Sequence, residues 1–156
     1  MDKGPDRQIR RLLTGEKIPY DLLLLADEPT EAIDRYIHES DIYIVENEGR
    51  FIAVYVLQPV DSSVIEIKSI AVDREYQGRG IGLSLLSDAI RRAGEEGYSE
   101  IIIGTATQAA RQISLYEKAG FKKYAIKKDF FLRHCPYPII ENGEQLRDMV
   151  MLKKVL

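Results

Sequence analysis

A glycine-rich stretch between a predicted strand and a predicted helix restricts the possible folds of this chain more than any other feature. It reads Gln77-Gly78-Arg79-Gly80-Ile81-Gly82. Before it, polar and apolar residues alternate over Val64 to Val72 as in a strand; after it, apolar residues recur every four positions from Ile81, as in a core-facing helix. Ile101-Ile102-Ile103 then has the composition of a short buried strand. This order predicts two parallel strands joined by a right-handed helical crossover.

The segments on either side of this unit predict a mixed α/β fold. Upstream, we expect a helix that Pro19 begins, a helix that Thr30 caps and a hairpin with its turn at Asn47-Glu48-Gly49. Downstream, Thr107 is expected to cap a helix that Gly120 terminates. The predicted helices are Ile18–Leu25, Glu31–His38, Gly80–Gly97 and Thr107–Ala119, and the predicted strands are Ile42–Glu46, Phe51–Leu57, Val64–Val72, Ile101–Ile103, Phe121–Lys127 and Arg147–Leu152.

Length, charge and cysteine content exclude several classes of protein. The 156 residues fit one domain, expected to span residues 1–156. A net charge of -3 lacks the basic excess of a nucleic-acid-binding protein. Cys135 is the only cysteine, so no internal disulfide can form, and a reducing cytoplasm is expected. The charged N-terminus, Met1 to Arg10, and a longest apolar run of only Phe51 to Leu57 predict neither secretion nor a membrane span.

The glycine-rich stretch predicts a site for a phosphate-bearing ligand. Glycines at a helix start let the backbone approach a ligand, and the free N–H groups there attract anions. A mononucleotide P-loop is excluded because Gly82 is followed by Leu83 and Ser84 instead of Lys and Ser or Thr. A dinucleotide fingerprint fails in both registers, since the third glycine position is occupied by Leu83 or by Leu85.

The spacing of Gln77, Gly80 and Gly82 resembles the pyrophosphate loop of the GNAT superfamily of N-acetyltransferases. Ser69 to Val72 resembles the strand before that loop, and Leu115 to Phe121 resembles the family's second motif. The resemblance implies a central mixed sheet with two splayed parallel strands and flanking helices. It also implies that acetyl-CoA is the cosubstrate, with its pantetheine arm between those strands. The cofactor-binding residues that it implies are Ile70, Ala71, Val72, Gln77, Gly78, Arg79, Gly80, Ile81, Gly82 and Tyr116.

The same resemblance implies two catalytic side chains. Tyr116 matches the family tyrosine near the thioester sulfur and is expected to act as general acid, since a phenol can protonate a departing thiolate. Glu66 lies where many members carry a glutamate that acts as general base. An ion pair between Glu66 and Lys68 explains that glutamate equally well, and the base could be an aspartate or a water chain.

The resemblance implies direct transfer of an acetyl group to a primary amine of a small molecule. Two alternatives remain: acetylation of a protein N-terminus or lysine, and a catalytically silent sensor of acyl-CoA. The acceptor is expected between the N-terminal helices, near Leu25 to Pro29, and the segment Cys135 to Asn142. Stretches at 129–131, 141–143 and 147–149 resemble a subgroup of small bacterial members, and a homodimer is expected, with Cys135 to Ile140 at the contact.

For several other residues, a structural role is favoured over a catalytic or ligand-binding role. Ala109 stands where similar sequences often place an Asn that holds the pantetheine arm. Adjacent His134 and Cys135 would point to opposite faces of an extended chain, which favours an inert cysteine. His38 is expected at a helix end, and no metal site is predicted. A basic cluster is expected to protect a sheet edge; its members are Lys122, Lys123, Lys127, Lys128 and Arg133.

Overall fold

The computed structural model describes residues 8–27 and 29–156, so most of the predicted N-terminal stretch Met1 to Arg10 lies outside the described residues. The strands are β1 (Ile9–Arg11), β2 (Asp41–Asn47), β3 (Arg50–Pro59), β4 (Val64–Val72), β5 (Glu100–Ala106), β6 (Lys122–Lys127), β7 (Ile140–Glu141), β8 (Glu144–Gln145) and β9 (Met149–Val155). Seven of them form one mixed sheet in the order β1-β2-β3-β4-β5-β9-β6, and β7 pairs only with β8.

Helices cover both faces of this sheet. They are α1 (Tyr20–Ala26), α2 (Thr30–Asp34), α3 (Ile81–Glu95), α4 (Ala110–Lys118) and α5 (Phe130–His134), with single 3-10 turns at Ile37–Glu39 and Arg74–Tyr76. The apolar stripe of α3, which includes Leu85 and Ala89, packs with Tyr116 of α4 against one face in the larger core. Leu22, Leu23 and nearby residues cover the other face in a smaller core. The expected mixed α/β architecture is confirmed.

The centre of the sheet is a fork between β4 and β5. These two strands pair in parallel only over Val64–Ile67 and Glu100–Ile103, although β4 continues to Val72 and β5 to Ala106. Beyond Ile67 the strands separate, and α3 provides the crossover between them. The predicted strand Val64–Val72 and the splayed parallel pair are therefore confirmed.

A bulge in β4 changes which side chains face each side of the sheet. The antiparallel pairing with β3 shifts between Ile67 and Ser69, which leaves Lys68 as the extra residue. Ile65 and Ile67 lie in the core under α3, as does the nearby Ile70, whereas Ala71 lies in the core on the opposite face. The bulge thus shifts the alternation of β4 at the point where the strands separate.

Three short elements were missed by the sequence analysis. β1 was read as charged N-terminal chain because Ile9 is its only apolar residue, but pairing with β2 holds it in the sheet. α5 and the β7–β8 hairpin were read as an irregular proline-containing connection, yet Ile139 and Leu146 pack there with Ala106 in a third small core. Long-range packing stabilises these elements, and local sequence patterns do not record it.

Two predicted helix caps are wrong. α4 begins at Ala110 with Ala109 as its N-cap residue, so Thr107 does not cap it. Thr30 is the first residue of α2 and does not cap it, because Pro29 occupies the cap position; the helix ends at Asp34, well before the predicted His38. His38 lies instead in the following 3-10 turn. The closing strand runs from Met149 to Val155, later than predicted.

Candidate functional site

The start of α3 presents an uncapped helix end at the open side of the fork. Gly78 and Gly80 adopt φ values of 80° and 81°, a left-handed conformation that L residues adopt at a cost of about 1–2 kcal/mol. No side chain caps the first N–H groups of α3, and its first turn contains no acidic residue. The backbone there can donate hydrogen bonds to an anion that the positive end of the helix dipole also attracts.

Contacts at its base hold the loop in place. The Gln77 side-chain amide donates a hydrogen bond to the Val72 carbonyl oxygen at 3.0 Å, which ties the loop to the end of β4. The Arg79 guanidinium lies 5.0 Å from the centre of the Tyr76 ring. The Asn47 amide donates to the Tyr76 hydroxyl at 2.9 Å. The side chain of Ile81 is buried in the larger core, so only its backbone is available to a ligand.

Gly82 has a different role from Gly78 and Gly80. It lies within α3, and a Cβ atom there would approach Leu115 Cδ2 of α4 to 3.3 Å. The absence of a side chain therefore lets α3 and α4 pack closely beneath the loop. A hollow of about 450 Å³ lies beside the start of α3; it is lined by Ile9, Gly80, Leu83, Ser84, Ser87, Asp88 and Arg91.

The fork itself exposes backbone that no strand covers. From Lys68 to Val72, the edge of β4 that faces β5 has no strand partner among the described residues. On β5, Gly104 is the first residue past the paired region, and a Cβ atom there would lie 2.6 Å from the Met149 sulfur and 2.7 Å from the Met151 sulfur. The two thioethers thus occupy the space over Gly104. No local sequence pattern indicates the packing of Met149 and Met151 over Gly104.

Tyr116 projects from α4 into the larger core, with 5% of its surface exposed. Its ring packs against Phe121 at a centroid distance of 6.4 Å. Its hydroxyl makes no hydrogen bond to any described residue, so the ring is anchored while the hydroxyl is available to a ligand. Burial raises the pKa of Tyr116 to about 12, which keeps its proton in place at neutral pH.

Glu66 lies on the opposite face of the sheet from Tyr116. Its neighbours Ile65 and Ile67 lie in the core that contains Tyr116, so strand alternation directs Glu66 to the other side. Its carboxylate is 3.6 Å from the Lys68 ammonium, and the two side chains are 19% and 29% exposed. The ion pair considered from the sequence is therefore present, and it leaves the carboxylate open to other partners.

Two tyrosines from distant segments flank this ion pair. The Lys68 ammonium lies 5.3 Å from the centre of the Tyr36 ring. Burial, followed by the nearby Asp27 carboxylate, raises the pKa of Tyr36. Burial and then the Glu66 carboxylate raise the pKa of Tyr124 on β6. We name the surface formed by Glu66, Lys68, Tyr36 and Tyr124 the Glu66 face; its tyrosines carry no local sequence signal that could have revealed them.

The remaining candidates contribute no further chemistry. His134 lies in α5, where its ring contacts Phe130 at a centroid distance of 4.5 Å, so the expected extended geometry at His134 is wrong. Cys135 packs at the edge of the third core. Lys122, Lys123 and Lys127 lie on the edge strand β6 as expected, whereas Lys128 follows that strand and Arg133 lies in α5.

Residues 8–27 and 29–156 contain neither a metal-ligand cluster nor a membrane-spanning helix. They include no group of three or more His, Cys, Asp or Glu side chains close enough to hold a metal ion. No helix in this part of the chain is long and apolar enough to cross a membrane.

Comparison with known proteins identifies the family. A model of the Acetyltransferase (GNAT) family matches residues 8–121, more than half of the chain. The chain belongs to the GNAT family of acetyltransferases. This GNAT acetyltransferase is 44% identical over 133 residues to the uncharacterized N-acetyltransferase YvbK of Bacillus subtilis (strain 168), a match that covers 85% of this chain and 86% of that protein.

Solved structures of other GNAT acetyltransferases share the whole architecture. A family member from Elizabethkingia anophelis with acetyl-CoA bound has a TM-score of 0.93 at 41% identity and covers 97% of this chain and 100% of that one. A Bacillus subtilis acetyltransferase in complex with CoA has a TM-score of 0.84 at 41% identity and covers 96% of this chain and 99% of that one. The enzyme class is therefore N-acetyltransferase.

Proposed function

We propose that this chain is a single-domain enzyme that transfers the acetyl group of acetyl-CoA directly to a primary amine of a small molecule. The observation that carries the proposal is the fork: β4 and β5 separate beyond Ile67, with the uncapped start of α3 at the open end and Tyr116 beneath it. One extended ligand with an anionic middle and a reactive thioester end fits this combination of features.

The residues present fit acetyl-CoA. Left-handed Gly78 and Gly80 and the N–H groups at the start of α3 would bind the pyrophosphate, with Gln77 holding the loop against β4. The uncovered backbone of Ile70 to Val72 would pair with the amide groups of the pantetheine arm. Ala109 provides no side-chain amide for the arm, so binding would depend on loop and strand backbone. This assignment places the thioester at the fork, between the two faces of the sheet.

Glu66 and Tyr116 would act on the two sides of the transferred group. The Glu66 carboxylate takes a proton from the acceptor ammonium, directly or through a water, and the freed amine nitrogen attacks the thioester carbonyl carbon. A carbon–nitrogen bond forms, the carbon–sulfur bond breaks, and the Tyr116 hydroxyl donates its proton to the departing sulfur. The second proton that the nitrogen loses as the amide forms returns through solvent to the Tyr116 oxygen. The burial that raises the phenol's pKa also raises that of a thiol in the same site, which keeps the transfer feasible.

Thiol release tests this function. The protein is incubated with acetyl-CoA and a panel of small primary amines, and free CoA is measured against amine-free controls. We expect turnover with at least one amine, and we expect Glu66→Gln to lower kcat by about a hundredfold at neutral pH while acetyl-CoA affinity stays the same. Tight acetyl-CoA binding without amine-dependent thiol release would contradict the enzyme and support the sensor alternative.

Acetylation of a protein N-terminus or lysine is the second enzymatic alternative. Peptides with free N-terminal amines and with internal lysines are therefore tested in the same assay. Faster turnover of such peptides than of every small amine would contradict the small-molecule assignment.

Cellular location and assembly belong to the same proposal. The single free Cys135 is compatible with the reducing cytoplasm that we propose as its location. We also propose a homodimer, because β6 is an exposed edge strand and because exposed Tyr137 and Ile140 lie in the segment expected at the contact. Sedimentation should give twice the chain mass of 17.8 kDa, and a species of 17.8 kDa alone would contradict the dimer.

A further inference from the structure

The Glu66–Lys68 pair lacks the hydrogen bond that several other ion pairs of the molecule have. The Arg92 guanidinium donates to the Asp88 carboxylate at 2.7 Å, and Arg10 donates two hydrogen bonds to Glu16 at 2.8 Å each. Lys68 and Glu66 are 3.6 Å apart, beyond hydrogen-bond distance, and neither side chain makes a hydrogen bond to any other described residue. Both charges are therefore available to a ligand.

Stabilisation of the fold does not account for this pair. A partly exposed ion pair without a hydrogen bond contributes little to folding. Lys68 is the extra residue of the bulge in β4, and this position holds its ammonium over the Tyr36 ring and beside Glu66. The bulge thus places a cation next to the proposed general base, although a cation there disfavours the approach of an acceptor ammonium unless the acceptor also brings an anion.

We propose that the acceptor is a small zwitterion whose amine is received by Glu66 and whose carboxylate, or another anionic group, is received by Lys68. This inference rests on the proposed function and names its substrate class. In the bound state, acceptor ammonium, acceptor anion, Lys68 and Glu66 form a ring of alternating charges. Each side of the acceptor then makes a charge-assisted hydrogen bond, which is stronger than a neutral one.

The spacing of the pair limits the acceptor. Hydrogen bonds of about 2.8 Å to two charges that are 3.6 Å apart require the ligand's own charges to be about 3–5 Å apart. An amine and an acidic group separated by one to three carbon atoms meet this requirement, as in α-, β- and γ-amino acids. The Tyr124 ring, which is 45% exposed, can contact an apolar side chain on such a molecule.

Matched acceptors test the proposal with the intact enzyme. For each amino acid, such as L-methionine or L-phenylalanine, kcat/KM is compared with that of its amide and of its decarboxylated amine. The amide also mimics a peptide N-terminus, and an aminoalkyl phosphonate distinguishes phosphonate from carboxylate as the preferred anion. We expect the best carboxylate- or phosphonate-bearing acceptor to exceed its uncharged partners by about ten- to a hundredfold.

Substitution of Lys68 tests whether its ammonium binds the anionic group of the acceptor. Lys68→Met should reduce this preference to about one, chiefly because kcat/KM falls for the carboxylate-bearing acceptor, and Lys68→Arg should retain most of the preference. Lys123→Met, an equal loss of charge on the exposed edge strand β6, should leave the preference unchanged.

The outcomes separate this inference from the proposed function. Amine-dependent turnover that is equal for charged and uncharged acceptors would overturn the zwitterion inference and leave the acetyltransferase function intact. An equal loss of activity toward both classes in Lys68→Met would also overturn it, because Lys68 would then support Glu66 only. Acetyl-CoA binding without turnover of any acceptor would instead contradict the proposed function.

Discussion

The two faces of the central sheet are built in different ways. Under α3 and α4, a large apolar core supports the glycine loop and Tyr116, and the ligand-facing groups are mainly backbone from one continuous stretch of chain. On the Glu66 face, charged and aromatic side chains come together from the turn after α2, from β4 and from β6, beside a smaller core covered by short helices. The first arrangement offers a ligand backbone hydrogen-bond donors, whereas the second offers it side-chain charges and aromatic rings.

Removal of the Tyr116 hydroxyl is expected to have the largest effect on kcat. Tyr116→Phe should lower kcat by about a hundredfold or more, since the departing sulfur would lose its acid, while acetyl-CoA affinity changes less than about threefold. Tyr55→Phe is the matched control: its hydroxyl donates to Asp88 at 2.6 Å, so this variant should lower the melting temperature and keep kcat. Full turnover by Tyr116→Phe would remove the acid assignment.

A smaller effect is expected at the loop. Gly80→Val requires a branched residue at φ 81°, so we expect acetyl-CoA to bind about tenfold more weakly in calorimetric titrations. Gly97→Val carries similar strain at φ 90° in the turn after α3, away from the loop, and should lower stability without changing affinity. Equal losses of affinity in both variants would show that the strain acts through folding and not through the loop.

The pH dependence of kcat tests the role of Tyr116 without a substitution. Because burial raises the pKa of Tyr116 to about 12, the phenol stays protonated throughout the practical range. We expect kcat to rise with pH as the acceptor amine loses its proton, and then to remain level to about pH 10. Rates are corrected for thioester hydrolysis at each pH. A descending limb below pH 9 that disappears in Tyr116→Phe would contradict this pKa.

Substitution of Cys135 is expected to have almost no effect on kcat. Direct transfer requires no acyl-enzyme, and Cys135 lies in the third core and outside the fork. Cys135→Ser should keep kcat within about twofold and form no acetylated protein detectable by mass spectrometry. If the variant stays folded but loses activity, transfer through a covalent intermediate replaces the direct mechanism.

The parts of the fold that depend on local sequence patterns could be predicted from the sequence. The βαβ unit and its loop were predictable because alternation, four-residue spacing and glycine placement are local patterns, and β4 occupies the predicted residues. The hairpin between β2 and β3 and the apolar stripe of α3 were predictable for the same reason.

The rest depends on contacts between distant segments. Three residues of β1 are held by pairing with β2, and α5 and the β7–β8 hairpin are held by packing around Ile139 and Leu146. The Glu66 face could not be predicted, because Tyr36 and Tyr124 can be placed beside Lys68 only when the bulge there is known. No local periodicity indicates where a strand acquires an extra residue.

The measurement that tests the account most directly is calorimetric titration of the protein with acetyl-CoA, S-acetylpantetheine, ATP and NAD. We expect tight binding of acetyl-CoA and weaker binding of S-acetylpantetheine, which lacks the pyrophosphate and the nucleotide. We expect no comparable binding of ATP or NAD. Affinity for ATP or NAD equal to that for acetyl-CoA, or no loss of affinity when the pyrophosphate is removed, would contradict the assignment of the loop and of the fork.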